Sequence, residues 1–427
     1  MAELSRRRLL FGLLLAAGVV LLLELASHLV YRLLEGHWAL GAGAEAARRA
    51  AADEGPQPGR VEVPRGIQED VIHPYLGYVH DLGLNERQQR RRRGMLEVTP
   101  YGFLRPPGEP APRPEEAYRI AVVGGSVAFV FSFRGRQVLA EGLAARGFAG
   151  GRPVVVESYA LAGYKQPQQL LTVAYLLSLG QRFDLVVNVD GFNELVFGVQ
   201  NVAYGVHPAF PSRWYYRLAA ASDPHDLRRI ARLSVLHDRR ARAAALAGRP
   251  GLRHSAGATL LWRLLDRWLA QRQYRLELAL GRRPENAAGF AVTGPPYDRP
   301  AEELYRELVG IWRRGSLELH RLATASGMRY VHLLQPNQYA GAKPMGPEER
   351  RLAWRSDSDY RRIVERGYPL LRAAGDELRA AGVDFHDLTG LFDPVEEPLY
   401  IDDCCHFGQA GNEILARYLV EALAPQR

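Results

Sequence analysis

Five short apolar runs, each stopped by turn residues and separated by stretches of helical periodicity, constrain the fold of this 427-residue chain more tightly than any other feature. They are "RIAVVGG" from Arg119, "PVVVES" from Pro153, "DLVVNVD" from Asp184, "RYVHLLQ" from Arg329 and "VDFHDL" from Val383. A strand with one wet face alternates apolar and polar residues. These runs are nearly continuous, so both faces of each strand are covered. Strands of that kind alternating with helices form a parallel sheet sandwiched between two helical layers, an α/β fold of three layers, α/β/α. The spacing predicts helices over Gln137–Arg146, Gln168–Leu179, Pro300–Ser326, Tyr360–Ala381 and Gln409–Leu423. In the last, Ile414, Leu415, Tyr418, Leu419, Ala422 and Leu423 form one apolar stripe.

Two segments do not fit the alternation. Phe197 to Gly294 reads as a helical, Arg-rich insertion between the third and fourth strands, with the aromatic cluster "RWYYRL" from Arg213 packing inside it or, less favoured, lining a cleft. At the N-terminus, Arg6, Arg7 and Arg8 precede an apolar run from Leu9 to Leu34 that is broken only by Glu24, His28 and Arg32. About 20 apolar residues cross a bilayer, and the stretch Leu9 to Leu23 is short of that. The span therefore continues to about Tyr31, with Glu24 inside it or near its far interface. The basic flank, residues 1–8, belongs in the cytoplasm, which places all that follows the anchor 9–34 on the extracytoplasmic side of the membrane. A cleaved signal peptide is the alternative, with "AGA" at Ala42 to Ala44 as its processing site. Residues 35–70, rich in Ala, Gly, Pro and charge, read as a stalk, and 71–427 as the main domain carrying the insertion.

The formal charge of +8 does not argue for nucleic acid. Lys165 and Lys343 are the only lysines among 55 basic residues, an Arg bias spread along the whole chain and joined to no nucleic-acid motif. The run Arg90 to Arg93 reads as a solvated loop. Cys404 and Cys405 are adjacent, so they supply no disulfide framework and read as small, partly buried side chains.

The chemistry collects where the strands end. In an open parallel sheet ligands bind at the carboxyl ends of the strands, and the first strand ends in Gly124-Gly125-Ser126. Two glycines permit a sharp turn and close backbone approach, leaving a hydroxyl at the sheet edge. Alone, Ser126 reads equally well as a helix cap. After the second strand, "YALAGYKQPQQ" puts Gly163 in a loop; after the third, "NVDGFNE" offers the amide of Asn193; near the C-terminus, "YIDDCCHFGQAGNEILA" carries His406 with Asp403 three residues before it. A serine nucleophile needs a base, the base needs a carboxylate to fix its tautomer, and the developing oxyanion needs preorganised donors.

This ordered set of four blocks resembles the SGNH, or GDSL-like, hydrolase superfamily. The wording "GYKQPQQ", "DGFNE" and "DDCCHFGQAGN" is also similar to a membrane-anchored bacterial subgroup. The resemblance implies a flavodoxin-like five-stranded parallel sheet. It implies Ser126, Asp403 and His406 as the catalytic triad and Ser126, Gly163 and Asn193 as the oxyanion hole. It further implies serine esterase or O-acyltransferase activity, with acyl esters as substrates and an O-acylated cell-surface polysaccharide among them, and no metal or organic cofactor. Asp402 adjoins Asp403 and is the alternative acid; the three-residue spacing favours Asp403. Ser158 stands where the second block often has Asn, and "GGS" replaces the commoner Gly-Asp-Ser.

Competing readings are weaker. An α/β-hydrolase separates its acid from its histidine in the chain, unlike the short spacing here. A zinc site over Asp402 to His406 lacks a second ligand pair. A phosphate loop lacks its Gly-Lys-Ser/Thr. A carbohydrate-binding or assembly protein on the same fold without turnover has little use for a serine aligned with an Asp-His pair. His332 and His386, inside strands, read as core histidines; Asp190 and Glu194 read as supports of the Asn193 loop; Lys165 reads either as loop support or as a contact to an anionic substrate.

Overall fold

The computed structural model describes residues 2–53, 70–82, 96–108, 116–215, 217–218, 224–281 and 290–423. Arg90 to Arg93 and the second half of the stalk lie outside the described residues. The chain opens with helices α1 (Ala2–Glu35) and α2 (Ala42–Asp53), then two short hairpins, β1 (Asp70–His73) with β2 (Gly77–His80) and β3 (Glu97–Val98) with β4 (Leu104–Arg105). The main alternation follows: β5 (Tyr118–Gly124), α3 (Ser126–Arg134), α4 (Arg136–Ala145), β6 (Val154–Ser158), α5 (Gln168–Ser178), β7 (Leu185–Asp190) and α6 (Phe192–Ala203). Helices α7 (Pro224–Ala247) and α8 (Ala256–Gly281) come next, and then α9 (Ala301–Ala325), β8 (Arg329–Leu334), α10 (Asp359–Ala380), β9 (Asp384–Asp387) and α11 (Gln409–Leu423).

Two compact units result, residues 1–64 with 220–283, and 65–219 with 284–427. The second contains the five-stranded sheet, ordered β6-β5-β7-β8-β9 with every pairing parallel. In chain order that is 2-1-3-4-5, the flavodoxin-like arrangement, whose strand order reverses beside β5. Helices α3, α4 and α11 pack together on one side, and α5, α6, α9 and α10 on the other. Every residue of β5 and β7 is buried, as their unbroken apolar character requires. Helices α3 and α6 each begin within two residues of a strand end, so the site loops at β5 and β7 are short. The boundary placed at Phe197 falls inside α6, which packs on α9 and α10 of this unit. Of the aromatic cluster, Arg217 pairs with Asp70 at 3.1 Å and stacks over Tyr78, so it braces the first hairpin and not the insertion.

The first unit consists of α1, α2, α7 and α8. Part of the expected stalk is helical: Ala47 and Ala51 of α2 pack on Ala244 and Ala247 of α7 and on Trp262 of α8. Alanine both favours the helix and allows this close approach, a role that composition alone disguises as a linker. Among the described residues one helix, over Phe11–Glu35, is long and apolar enough to cross a membrane.

Candidate active site

The two glycines before Ser126 are required by close packing. Gly124 has φ +140, and a Cβ there would stand 2.2 Å from the Val189 carbonyl of β7. A Cβ on Gly125 would stand 2.1 Å from Nδ2 of Asn193 and 3.1 Å from the Tyr164 carbonyl. Thus the turn holding Ser126 is pressed against both the second and the third block. Gly125 is the N-cap of α3 and Ser126 its first residue, so the hydroxyl caps nothing.

That hydroxyl lies 2.7 Å from Nε2 of His406. The other ring nitrogen, Nδ1, lies 2.5 Å from Oδ2 of Asp402. Here the structure corrects the spacing argument: the carboxylate on His406 is Asp402, not Asp403. The physical reason is the turn between them. Oδ1 of Asp402 accepts the N–H groups of Cys404, Cys405 and His406 at 3.0, 3.1 and 3.2 Å, which folds the chain back and aims Oδ2 at the ring. Asp403 points elsewhere and pairs with Arg355 at 2.9 Å. Electrostatics separates the two carboxyls further. Burial raises Asp402, but the His406 charge and the N–H bonds outweigh it and hold the group below its ordinary value. Burial lifts Asp403 above its own, with Arg355 opposing. Burial also pushes the His406 imidazole down, the neighbouring Cys405 and the Asp402 carboxylate push it up, and the balance raises it to about 10.

Asn193 sits in the first turn of α6 and donates from Nδ2 to the Tyr164 carbonyl at 2.8 Å, leaving a second amide N–H. Gly163 has φ +83, and a Cβ there would meet Ser212 Oγ at 2.5 Å and the Tyr78 hydroxyl at 2.9 Å. The same Tyr78 hydroxyl donates to the Ala162 carbonyl at 2.8 Å, bracing the loop. Glu194 ties the second block to the third: it accepts from Gly191 N at 2.8 Å, Gln166 N at 3.0 Å and Gln169 Nε2 at 3.0 Å. Burial and the nearby Asp190 raise its carboxyl to about 8. Lys165 is buried, donates to the Pro208 carbonyl, and is pushed down to about 7 by burial against the opposing Glu194 charge. This is a support of the loop.

Sequence reasoning missed the supports of the histidine loop. Asn337 Nδ2 donates to the Cys404 carbonyl and Gln338 Nε2 to the Asp402 carbonyl, each at 3.0 Å. Buried Glu349 accepts from Leu399 N and Tyr400 N at 2.8 and 2.7 Å and is paired with Lys343. The available signal was "QPNQ", polar residues directly after the fourth strand, where the ligand-binding edge lies. His332 and His386 have both ring nitrogens occupied, His332 by Ser316 and Asp190 and His386 by Tyr418 and Asp384. Cys404 and Cys405 are free, buried thiols. With His406 they form a group whose donor atoms lie within 4.8 Å of one another, but both nitrogens of that ring are already bonded.

No protein-family model and no curated protein matches the chain. Among solved structures it is similar to a GDSL-like lipase from Bacteroides thetaiotaomicron, 11% identical with a TM-score of 0.32, over 73% of this chain and 90% of that one. It is similar also to an acetylxylan esterase from Geobacillus stearothermophilus, 11% identical with a TM-score of 0.32, over 72% of this chain and 95% of that one.

Proposed function

We propose that this chain is a membrane-anchored serine esterase or O-acyltransferase of the SGNH, GDSL-like type, with Ser126, His406 and Asp402 as its triad. One observation carries the reading: an unbroken hydrogen-bonded chain from Asp402 through His406 to Ser126, placed at the carboxyl edge of the sheet. Ser126 and His406 are partly open to solvent, as a nucleophile and base must be to meet a substrate.

The steps follow from the geometry. Ser126 Oγ attacks the acyl carbonyl carbon while His406 Nε2 takes its proton. Asp402 holds Nδ1–H and stabilises the imidazolium without itself becoming protonated. The carbonyl oxygen, now an oxyanion, is received by the N–H groups of Ser126 and Gly163 and the second N–H of Asn193. Collapse expels the alkoxide, which takes the proton from His406, and leaves the acyl group on Ser126. An incoming hydroxyl, from water or from a sugar, gives its proton to His406, attacks the ester and restores Ser126. The loop bonds of Glu194, Asn337 and Gln338 hold the three blocks in place, so little reorganisation is needed at reaction.

The anchor is α1, with the Arg6–Arg8 flank cytoplasmic and the catalytic unit extracytoplasmic. That placement suits an O-acyl ester of a cell-surface polysaccharide as substrate. The test is hydrolysis of a chromogenic acetyl ester, followed by product analysis on purified acylated polysaccharide with and without a sugar acceptor. Release of acid in water identifies an esterase, and appearance of acylated acceptor a transferase. Inertness toward every ester tried, in folded protein, overturns the reading in favour of a binding role.

A further inference from the structure

Helix α8 runs beside α1 in the same direction. Its start is bonded to Glu24, whose carboxylate accepts from the Ser255 hydroxyl and from Ala256 N, each at 2.5 Å. About eleven residues later Glu35 pairs with Arg263 and Arg267 of α8 at 2.9 and 2.8 Å, roughly 16 Å further along α1 and about 10–16 Å further along α8. If the hydrocarbon begins at Leu9, about 20 residues bring its outer boundary to the neighbourhood of His28. Glu24 then lies about 6 Å inside that boundary, and so does the turn between α7 and α8, Gly248 to Ser255.

Three faces of α8 have distinct environments. Leu260, Arg263 and Arg267 face α1. Thr259, Trp262 and Asp266 face α2 and α7. The third face carries Leu261, Leu264, Leu265 and Trp268 at helical spacing, 71%, 46%, 45% and 52% exposed. By register with α1 this apolar stripe starts near the boundary and climbs through the headgroup region. Leu246 and Leu252 beside the turn are exposed too, among Arg249, Arg253 and His254. Just past α1, Trp38 folds back to within 6.0 Å of the His28 ring, with Arg32 stacked on it at 4.4 Å. A tryptophan and an arginine at that depth form the aromatic and basic belt of a membrane interface.

We infer that the α7–α8 hairpin is a lipid-seated collar around the anchor: its tip and the lower end of the α8 stripe, Leu261 to Leu265, are embedded in the outer-leaflet interface of the bilayer. The inference rests on the membrane-spanning reading of α1 and goes beyond it. The depth, about 6 Å, is that of amphipathic helices lying in an interface. It also accounts for a carboxylate within an apolar span, because Glu24 is met by donors from α8 and not by hydrocarbon.

The test uses the full chain in phosphatidylcholine–phosphatidylglycerol vesicles, with an environment-sensitive fluorophore on single introduced cysteines. Leu252→Cys and Leu261→Cys probe the collar, Leu21→Cys the span and Arg321→Cys an exposed polar helix face; wild-type labelling is subtracted. Lipid nitroxides are placed near the headgroup or near the chain end. Collar probes are quenched more by the shallow nitroxide, the Leu21→Cys probe more by the deep one, and the Arg321→Cys probe by neither. Collar probes as unquenched as Arg321→Cys, with Leu21→Cys quenched, overturn the collar and leave the anchor standing. An unquenched Leu21→Cys overturns both.

Discussion

Among the described residues the unit that carries the sheet holds two Asp–His–Ser chains, and the proposed function assigns the reaction to only one of them. At the sheet edge, Asp402, His406 and Ser126 are linked at 2.5 and 2.7 Å. In the core, Asp190, His332 and Ser316 are linked at 2.7 Å on each side of the ring. The residue types are the same; the surroundings differ. Asp190 is also held by Trp312 Nε1 at 2.6 Å and Asn188 Nδ2 at 2.7 Å, and Ser316 Oγ by the Tyr330 hydroxyl at 3.0 Å. Its serine is fully buried on α9, out of reach of solvent. Ser126 instead follows a glycine turn that opens on solvent beside an amide. On the proposed function, reactivity therefore lies in position, in a turn that glycines make possible, and not in the three side chains alone.

Exchanging the two serines for alanine separates the two chains most sharply. Ser126→Ala should lower ester turnover by about 10^6-fold. Ser316→Ala should leave turnover within about tenfold and instead cost about 1–3 kcal/mol of stability, because His332 and Tyr330 lose a buried partner. Turnover and urea unfolding of both variants check this pair. Next in size is the acid. Asp402→Asn should reduce kcat by about 10^4-fold, through the wrong tautomer at His406, whereas Asp403→Asn, which loses only the Arg355 pair, should cost less than about tenfold. Equal losses in steady-state assays would undo the assignment. Asn193→Ala follows, with about 10^2- to 10^3-fold lost in kcat and a smaller change in KM.

How far this was legible in the sequence follows the same division. Apolar continuity marked the strands, and their carboxyl ends pointed to Ser126, Gly163 and Asn193; His406 came from the segment just before the last helix, and the resemblance joined the four into one set. The choice between Asp402 and Asp403 was not legible, because it depends on a turn in which one carboxylate collects three N–H groups. Nor was the core chain, since Ser316 and His332 meet only through the packing of α9 on β8. Helix α2 was hidden for another reason: its alanines have a use only once α7 and α8 lie against them.

The smallest effect concerns pH. The neutral imidazole is the base, and its pKa is raised to about 10, so kcat/KM should still be climbing above neutral pH, with its acidic limb well above that of an ordinary histidine. Asp402→Asn removes the carboxylate charge that lifts the ring and should move the limb downward. A limb that stays in place in a pH–rate profile would exclude that contribution.

Covalent trapping addresses the placement of the nucleophile without reference to any substrate. After treatment of the folded chain with a fluorophosphonate, peptide mapping by mass spectrometry should find one adduct, on Ser126, with Ser316 unmodified and the adduct gone in His406→Ala. An adduct on a different serine, or none on a folded chain whose Ser126 is open to the probe, would show that the sheet-edge chain is no more reactive than its buried counterpart.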